Sequence, residues 1–405
     1  MSVRHIPLTF DNSKPDQSAK ELVEAFSPDW NDDDPLIFVR FTEGITNTLT
    51  KATKKRPGKS DSEIEQDAIL LRAYGKGTDV LIDRERELNA HNLLASRGLA
   101  PSLLARFDNG LMYRFIQGDV CTPDDLRRPE VYRAVAKRLG EWHGSLPIAA
   151  ISKKPVINGH MPGQKSAQAT KTQPRPEPNT WTVMQQWIDA LPTGSEKEKE
   201  RKQLLNHELS DLSAKLGDTP GLFGKDYVFG HCDLLSGNVI IEQQVDQPCS
   251  NGDNKERPVS FIDYEYSTPS PAAFDIANHF AEWAGFDVDH SAMPSKSARR
   301  DFLRHYVGSF YVSAISDDHN IAMEIDMRAA IDQLYKQVDA FRGVPGFYWG
   351  IWALIQATIS QIDFDYASYA ELRLSEYWAW KAEADGSRSA KGEEMPLRER
   401  KWAED

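Results

Sequence analysis

His231, Asp233 and Asn238 lie within "VFGHCDLLSGNVII" (228–241), between two apolar runs that read as strands. These types are poorly placed between buried strands unless they have work to do. An Asp on a rigid loop can accept the proton of an attacking hydroxyl, and an Asn five positions later can hold a magnesium ion. Base and oxygen ligand together suit phosphoryl transfer, where positioning and charge neutralisation do most of the catalysis. His231, two positions before the Asp, is grouped with it as a catalytic candidate.

Four further features fall in the order this chemistry needs. Asp263 follows the apolar run of "SFIDYEY", and a hairpin would return it to Asn238, 25 positions earlier, as a second metal ligand. In "TEGITNTLTK", Gly44, Ile45, Thr46 and Asn47 form a glycine turn whose amides and hydroxyls can face phosphates. Arg72 in "ILLRAYG" ends a buried-looking strand, and Glu87 lies on the next helix; an ion pair between them can clamp nucleotide phosphates. Alone, each has a plain structural explanation. H-x-D is common in loops, most glycine turns are hairpins, and strand-to-helix ion pairs often serve packing. Their joint order argues for chemistry.

In "SPAAFDIANHFAEWAGF" (270–286), Asp275, Asn278, His279 and Glu282 recur at i, i+3, i+4 and i+7, one polar stripe on a helix. A solvated face would carry Lys and Glu, so the stripe is expected to face inward, with His279 structural. In "GFYWGIWALIQATISQIDFDYASYAELRL", Trp349 and Trp352 stand one turn apart, and Phe364, Tyr366 and Tyr369 follow. Aromatics at this spacing are mostly core. The sharper reading is a wall for an ammonium ion, with Glu282 supplying the opposite charge.

The elements around these residues divide the chain in two. Strands over 35–55 and 67–75, a helix ending near Gly98 and a strand at 110–118 make a small lobe over 1–118, with "KKRPGKSDSEIEQ" as an exposed hairpin tip. A larger helical lobe fills 119–405, with flexible inserts at 153–180 and 242–258 and a loose tail over 386–405. The chain has 405 residues, with 48 Lys+Arg against 61 Asp+Glu; the net charge of -13 argues against nucleic acid and suits a small cation. Cys121, Cys232 and Cys249 have no ligand-like spacing, so no zinc site or disulfide framework is expected. No signal-like or membrane-length apolar run is seen, and a soluble cytoplasmic protein without stable membrane insertion is expected.

Across roughly 35–384 the sequence resembles the choline/ethanolamine kinase family. "HCDLLSGN" is similar to its catalytic loop, "IDYEYS" to its metal strand, "FDIANHFAEW" to its substrate helix and "WGIWALIQA" to its late aromatic helix. The resemblance implies an α+β, protein-kinase-like two-lobed fold, with a small β-rich N-lobe and a larger, mostly helical C-lobe. It implies ATP- and Mg2+-dependent phosphorylation of an amino alcohol, the first step of phosphatidylethanolamine or phosphatidylcholine synthesis, by an enzyme for which a homodimer is admissible. It makes Asp233 the base and Asn238 and Asp263 the metal ligands. Residues 44–47, Arg72, Glu87, Gln117 and Leu235 would serve the nucleotide. Glu265, Tyr266, Asp275, Glu282, Trp349, Trp352 and Tyr366 would serve the amine. "EGITN", "NGLMYRFIQG" and Leu235, where choline kinases carry Gln, favour the ethanolamine branch. Cys232 departs from the family's usual Asn. The alternatives are a choline or dual-specificity kinase, an antibiotic-type phosphotransferase, and an inactive kinase-like binding protein.

Overall fold

A computed structural model describes residues 3–30, 34–41, 47–75, 77–152, 175–243, 257–317, 326–360 and 362–405. Its first part is a six-stranded sheet in the order β1-β5-β6-β4-β3-β2, built from β1 (Arg4–Ile6), β2 (Leu36–Phe41), β3 (Asn47–Lys54), β4 (Ile69–Tyr74), β5 (Leu103–Phe107) and β6 (Gly110–Arg114). Helix α1 (Pro15–Phe26) starts on a proline, which has no N–H to leave unpaired, and buries Ala19, Leu22 and Val23 at helical spacing. These side chains share a core with Ile6, Trp30, Ile69, Leu71 and Phe107. β1 runs parallel to β5. Residues 3–30 therefore pack into the small lobe through a strand and a helix that the sequence reading did not name.

The expected hairpin tip contains α2 (Asp61–Gln66). Ser60 and Glu63 cap it reciprocally, a side-chain pairing that satisfies two N–H groups at the helix start. Helix α3 (Arg84–Ser96) is capped by Asp83 and ends just before Gly98, which takes the left-handed φ of +70°.

Beyond β7 (Gly118–Val120) come α4 (Pro123–Leu126), α5 (Pro129–Ser145), α6 (Thr180–Ala190) and α7 (Glu196–Leu216). Strand β8 (Val228–Gly230) pairs with β11 (Thr268–Ser270), and β9 (Val239–Glu242) joins β7 to β10 (Val259–Phe261). Helices α8 (Ala272–Ala281), α9 (Lys296–Asp317), α10 (Met327–Phe341), α11 (Val344–Ile359), α12 (Tyr366–Ala384), α13 (Ser387–Ala390) and α14 (Leu397–Ala403) complete the chain. Close helix contact is set by glycine: a Cβ on Gly346 of α11 would stand 2.6 Å from the Arg373 main-chain oxygen of α12. Among the described residues no helix is long and apolar enough to cross a membrane.

Two expectations are corrected. The tail over 386–405 is not loose throughout, because Trp402 is buried with its ring 4.0 Å from the Arg299 guanidinium, which also donates to the Trp402 main-chain oxygen at 2.8 Å. The insert read at 153–180 ends early. Arg175 pairs with Asp218 at 2.7 Å, Asn179 caps α6, and Thr180 is buried. Residues 153–174 and 244–256, the bulk of both inserts, lie outside the described residues, as does Cys249.

Candidate active site

Strand β8 delivers the chain into the His231–Asn238 loop, and α8 holds that loop by its backbone. Asp275 accepts the main-chain N–H of His231 on Oδ2 at 2.8 Å and that of Cys232 on Oδ1 at 2.7 Å. Asn278 donates to the Cys232 oxygen at 3.0 Å. His279 donates from Nδ1 to the Leu234 oxygen at 2.8 Å and accepts the Trp283 indole N–H on Nε2 at 3.2 Å, which fixes its tautomer. The polar stripe therefore faces inward, as its composition suggested, and three of its four members grip main chain. Burial brings the His279 pKa down to about 4, so the ring is neutral at physiological pH.

The grip fixes Asp233. Asn238 donates to its main-chain oxygen at 2.7 Å and to its Oδ2 at 3.1 Å. Burial pushes the Asp233 carboxyl well above the usual range, and the nearby Asp263, Glu282 and Glu265 push the same way. The β9–β10 hairpin pairs Val239 with Phe261, and the Ile262 N–H donates to the Asn238 oxygen at 3.0 Å. Asn238 and Asp263 are thereby brought to one place, as the hairpin argument expected. Asp263 has a left-handed φ of +64°, a conformation Asp tolerates better than most side chains.

Arg72 ties the small lobe to this loop. It pairs with Glu87 at 2.7 Å, Glu265 at 2.6 Å and Asp263, and is 4% exposed. Glu265 also receives Arg84 at 3.3 Å and Asn47 at 3.1 Å. Asp263 is raised by burial, against the pull of Arg72.

A cleft of about 240 Å³ opens beside Asp233 and Asn238. Glu282, Tyr266, Trp349 and Trp352 line it together, with the Tyr266 and Trp349 rings 5.7 Å apart. The two indoles are edge to face at 5.6 Å. Their N–H groups are used structurally, by Asn278 Oδ1 and by the Tyr266 hydroxyl, each at 2.8 Å, so the rings are fixed before anything binds.

Of the residues singled out in the sequence, Asp233, Leu235, Asn238, Asp263, Glu265, Tyr266, Glu282, Trp349 and Trp352 line this cleft. Gly44, Ile45 and Thr46 lie outside the described residues. Others are displaced from the roles expected. His231 is fully buried, with Nε2 3.0 Å from the Ile262 oxygen and a pKa brought down to about 4 by burial; it holds the loop rather than reaching a substrate. Asp275 is fully buried and committed to the loop and to His143 at 2.9 Å, so it is not an amine contact. Tyr366 is buried against Trp352 at a ring distance of 5.8 Å, and Tyr369 lines the cleft in its place. Gln117 is outside the cleft, donating to the Ser62 oxygen at 3.2 Å. Arg72 and Glu87 form the expected pair, but behind the cleft wall. The sequence reading missed Phe41, Leu49, Val120 and Phe286 as cleft residues, and Arg373, which donates to Glu282 at 3.3 Å.

Among the described residues no three His, Cys, Asp or Glu are grouped so as to hold a metal alone. The oxygen donors of Asn238 and Asp263 nevertheless fit magnesium, which keeps waters and substrate phosphates in its shell and needs few protein ligands.

A profile of the choline/ethanolamine kinase family matches residues 38–378. A probable ethanolamine kinase of Nematostella vectensis is 33% identical over 393 residues, covering 94% of this chain and 97% of that one. Human ethanolamine kinase 1 is 32% identical, covering 91% of this chain and 72% of that protein. Among solved structures, a Plasmodium vivax ethanolamine kinase is similar with a TM-score of 0.68 and 25% identity, over 91% of this chain and 89% of that one. A Cryptosporidium parvum choline kinase shares the fold at a TM-score of 0.62, with 20% identity over 92% of this chain and 97% of that one. A loop built around a poised carboxylate, beside an acidic aromatic recess, thus belongs to a chain that is a member of the choline/ethanolamine kinase family.

Proposed function

We propose that the protein is an ATP- and magnesium-dependent ethanolamine kinase of the cytoplasm, forming phosphoethanolamine for phosphatidylethanolamine synthesis. One observation carries the reading: the acidic Glu282 and the fixed rings of Trp349 and Trp352 line the same cleft as Asp233. A cation seated there presents a hydroxyl two carbons away to the loop. Asp233 accepts the hydroxyl proton while the oxygen attacks the terminal phosphorus of ATP, the new O–P bond replaces the old one, and ADP leaves. Asn238 and Asp263 would hold magnesium, which neutralises phosphate charge. Arg72 binds Asp263 from behind and orients it.

Ethanolamine is favoured over choline because a primary ammonium has three N–H donors to satisfy in a desolvated recess, and Glu282 offers a charged acceptor. Leu235 supports the same branch. Parallel steady-state kinetics with both amines test this. We expect kcat/KM for ethanolamine to exceed that for choline by about tenfold or more, which needs only ~1.4 kcal/mol of differential transition-state binding. Equal efficiencies would reassign the enzyme as dual-specific.

A further inference from the structure

Glu282 is not the end of the acidic recess but the first member of a buried line of alternating charges. Arg373 of α12 donates to Glu282 Oε1 at 3.3 Å, and its Nε stands 3.0 Å from Glu376 Oε2. Glu376 also faces His290 at 2.8 Å and Arg398 of α14 at 3.3 Å. Arg398 meets Glu399 at 3.0 Å, and Glu399 meets Arg342 at 2.9 Å. Arg373, Glu376, Arg398 and Glu399 are each at most 5% exposed. The line runs from the substrate recess to the last helix of the chain.

The sharing is unequal. Among the described residues Glu376 has three cationic partners, while Glu282 has a single, longer bond from a guanidinium already engaged by Glu376. Their carboxyls diverge accordingly: Glu376 is held down at about 2, its burial outweighed by Arg373, His290 and Arg398, whereas burial keeps Glu282 above the ordinary range despite Arg373. Burial works against the charge of Glu282, and the neutral form of a carboxyl is a poor cation receptor. The further groups facing Glu282 are Tyr369 and Glu376 on α12 and Asp233 on the loop, and the two acids favour its protonation.

We infer that Arg373 is a positioning residue for the amine, favouring the ionised form of Glu282 and aiming it so that the recess accepts a cation. The inference rests on the reading of Glu282 as the ammonium acceptor. Arg373 touches no substrate; it acts through Glu282, and Arg398 braces it through Glu376. A buried guanidinium close to an ammonium site would ordinarily repel the substrate. Here its charge is divided between two carboxylates, leaving room for one more cation.

Choline is the suitable probe because its quaternary charge does not titrate. Calorimetric titrations of the full chain with choline from pH 8.5 to 6.5 compare wild type, Arg373→Met, Arg373→Lys, Arg398→Met and Glu282→Gln, with thermal melts verifying the fold and ATP binding followed in parallel. Without the guanidinium the Glu282 pKa rises, so the ionised fraction falls sooner as pH drops, about tenfold per unit once below the pKa. Arg373→Met should therefore lose choline affinity at a higher pH than wild type does, its profile displaced toward alkaline pH, with ATP binding changed less than about twofold. Arg373→Lys should restore most of the wild-type profile. Arg398→Met, which leaves Glu376 leaning harder on Arg373, should shift it in the same direction by less, and decides the matter if Arg373→Met does not fold. Parallel pH profiles for the folded Arg373 and Arg398 variants and wild type would overturn the inference. If Glu282→Gln weakens choline at least tenfold with a flat profile, the recess reading survives that result; if Glu282→Gln binds choline as wild type does, the recess reading itself falls.

Discussion

Asp275 accepts the main-chain N–H of Cys232 at 2.7 Å from a position where neither side chain can touch a substrate. The same carboxylate holds the N–H of His231, so a single buried anion fixes the two residues immediately before Asp233. Burial pushes the Asp275 carboxyl up, but the His143 ring at 2.9 Å and the ring and N–H of His231 outweigh it and hold the carboxyl below its usual value.

Asp275→Asn should lower kcat by about 10- to 100-fold while leaving the KM for ATP within a few-fold. An amide keeps one acceptor but turns a donor toward an N–H, leaving a buried group unpaired at about 1–3 kcal/mol. Steady-state kinetics and urea unfolding check both halves. Unchanged kcat in a destabilised variant would mean the loop positions itself without α8.

Cys232 takes a left-handed φ of +62°. Asn visits this region several-fold more readily than most residues, which gives a physical reason for the family's usual Asn here. Cys232→Asn should retain activity and lose little stability, whereas Cys232→Val, similar in size but β-branched, should lose at least about 1–2 kcal/mol. Equal melting temperatures for the two variants would remove the backbone argument.

Much of this geometry was legible in the sequence because it is local. The H-x-D-x-x-x-x-N spacing, the hairpin between Asn238 and Asp263, and the inward stripe on α8 all follow from short-range periodicity. What the stripe does was not legible: periodicity gives a face but not the neighbour it meets, so Asp275 was assigned to the amine although it holds the loop. Tyr366 and Tyr369 differ by less than a helical turn, too fine a distinction for spacing alone. Arg373 was invisible for another reason, since a lone Arg on an exposed-looking helix announces no partner 91 positions away. The capping box at Ser60 and Glu63 was readable and was overlooked.

Asn238→Ala and Asp263→Ala should each raise the magnesium concentration needed for half-maximal rate, with Asp263→Ala the more severe because Arg72 then loses a partner as well. Asp233→Asn should keep the metal titration and lose on the order of 10² or more in kcat, as removal of a positioned base does. Metal titrations of all three variants separate the two roles. An unchanged titration for Asp263→Ala would make it purely structural.

His91, His231 and His279 are each buried and brought down to about 4 by desolvation. Their depressed folded values mean that the unfolded chain takes up protons first, as pH falls through about 6.5, and the folded chain follows only near 4. Stability present above pH 6.5 is therefore lost across that window, by an upper figure of roughly 2 kcal/mol per ring at pH 5. Asp233, Asp263 and Glu282, raised by burial, take up protons in the fold as pH falls and oppose this loss, so the rings are read by difference. Urea melts at pH 7.5, 6.5 and 5.5 should show a shallower loss for His91→Gln than for wild type, with proton uptake on unfolding reduced by about one at pH 5.5. The same pH dependence in both proteins would mean that this ring charges within the fold.

The substrate preference has the sharpest test, because the two walls of the recess act on different parts of an ammonium ion. Glu282 pairs with the charge of either amine, but its oxygens accept hydrogen bonds only from the N–H groups of ethanolamine. Glu282→Gln should therefore lower kcat/KM for ethanolamine more than for choline. Trp352 offers a ring face, which attracts methylated and unmethylated ammonium alike but is the main favourable contact for a choline head without N–H donors. Trp352→Ala should reverse the order, with a loss for choline of roughly 0.5–2 kcal/mol, about two- to thirtyfold. Part of its effect will be common to both amines, since the indole N–H also fixes the Tyr266 hydroxyl at 2.8 Å. The informative quantity is accordingly the ratio of the two efficiencies in each variant, in which that common part cancels. Opposite movements of the ratio support a recess that selects by hydrogen bonding on one side and by ring contact on the other. Movement in the same direction for both variants would show that neither residue distinguishes the amines, and the preference would have to arise elsewhere in the cleft.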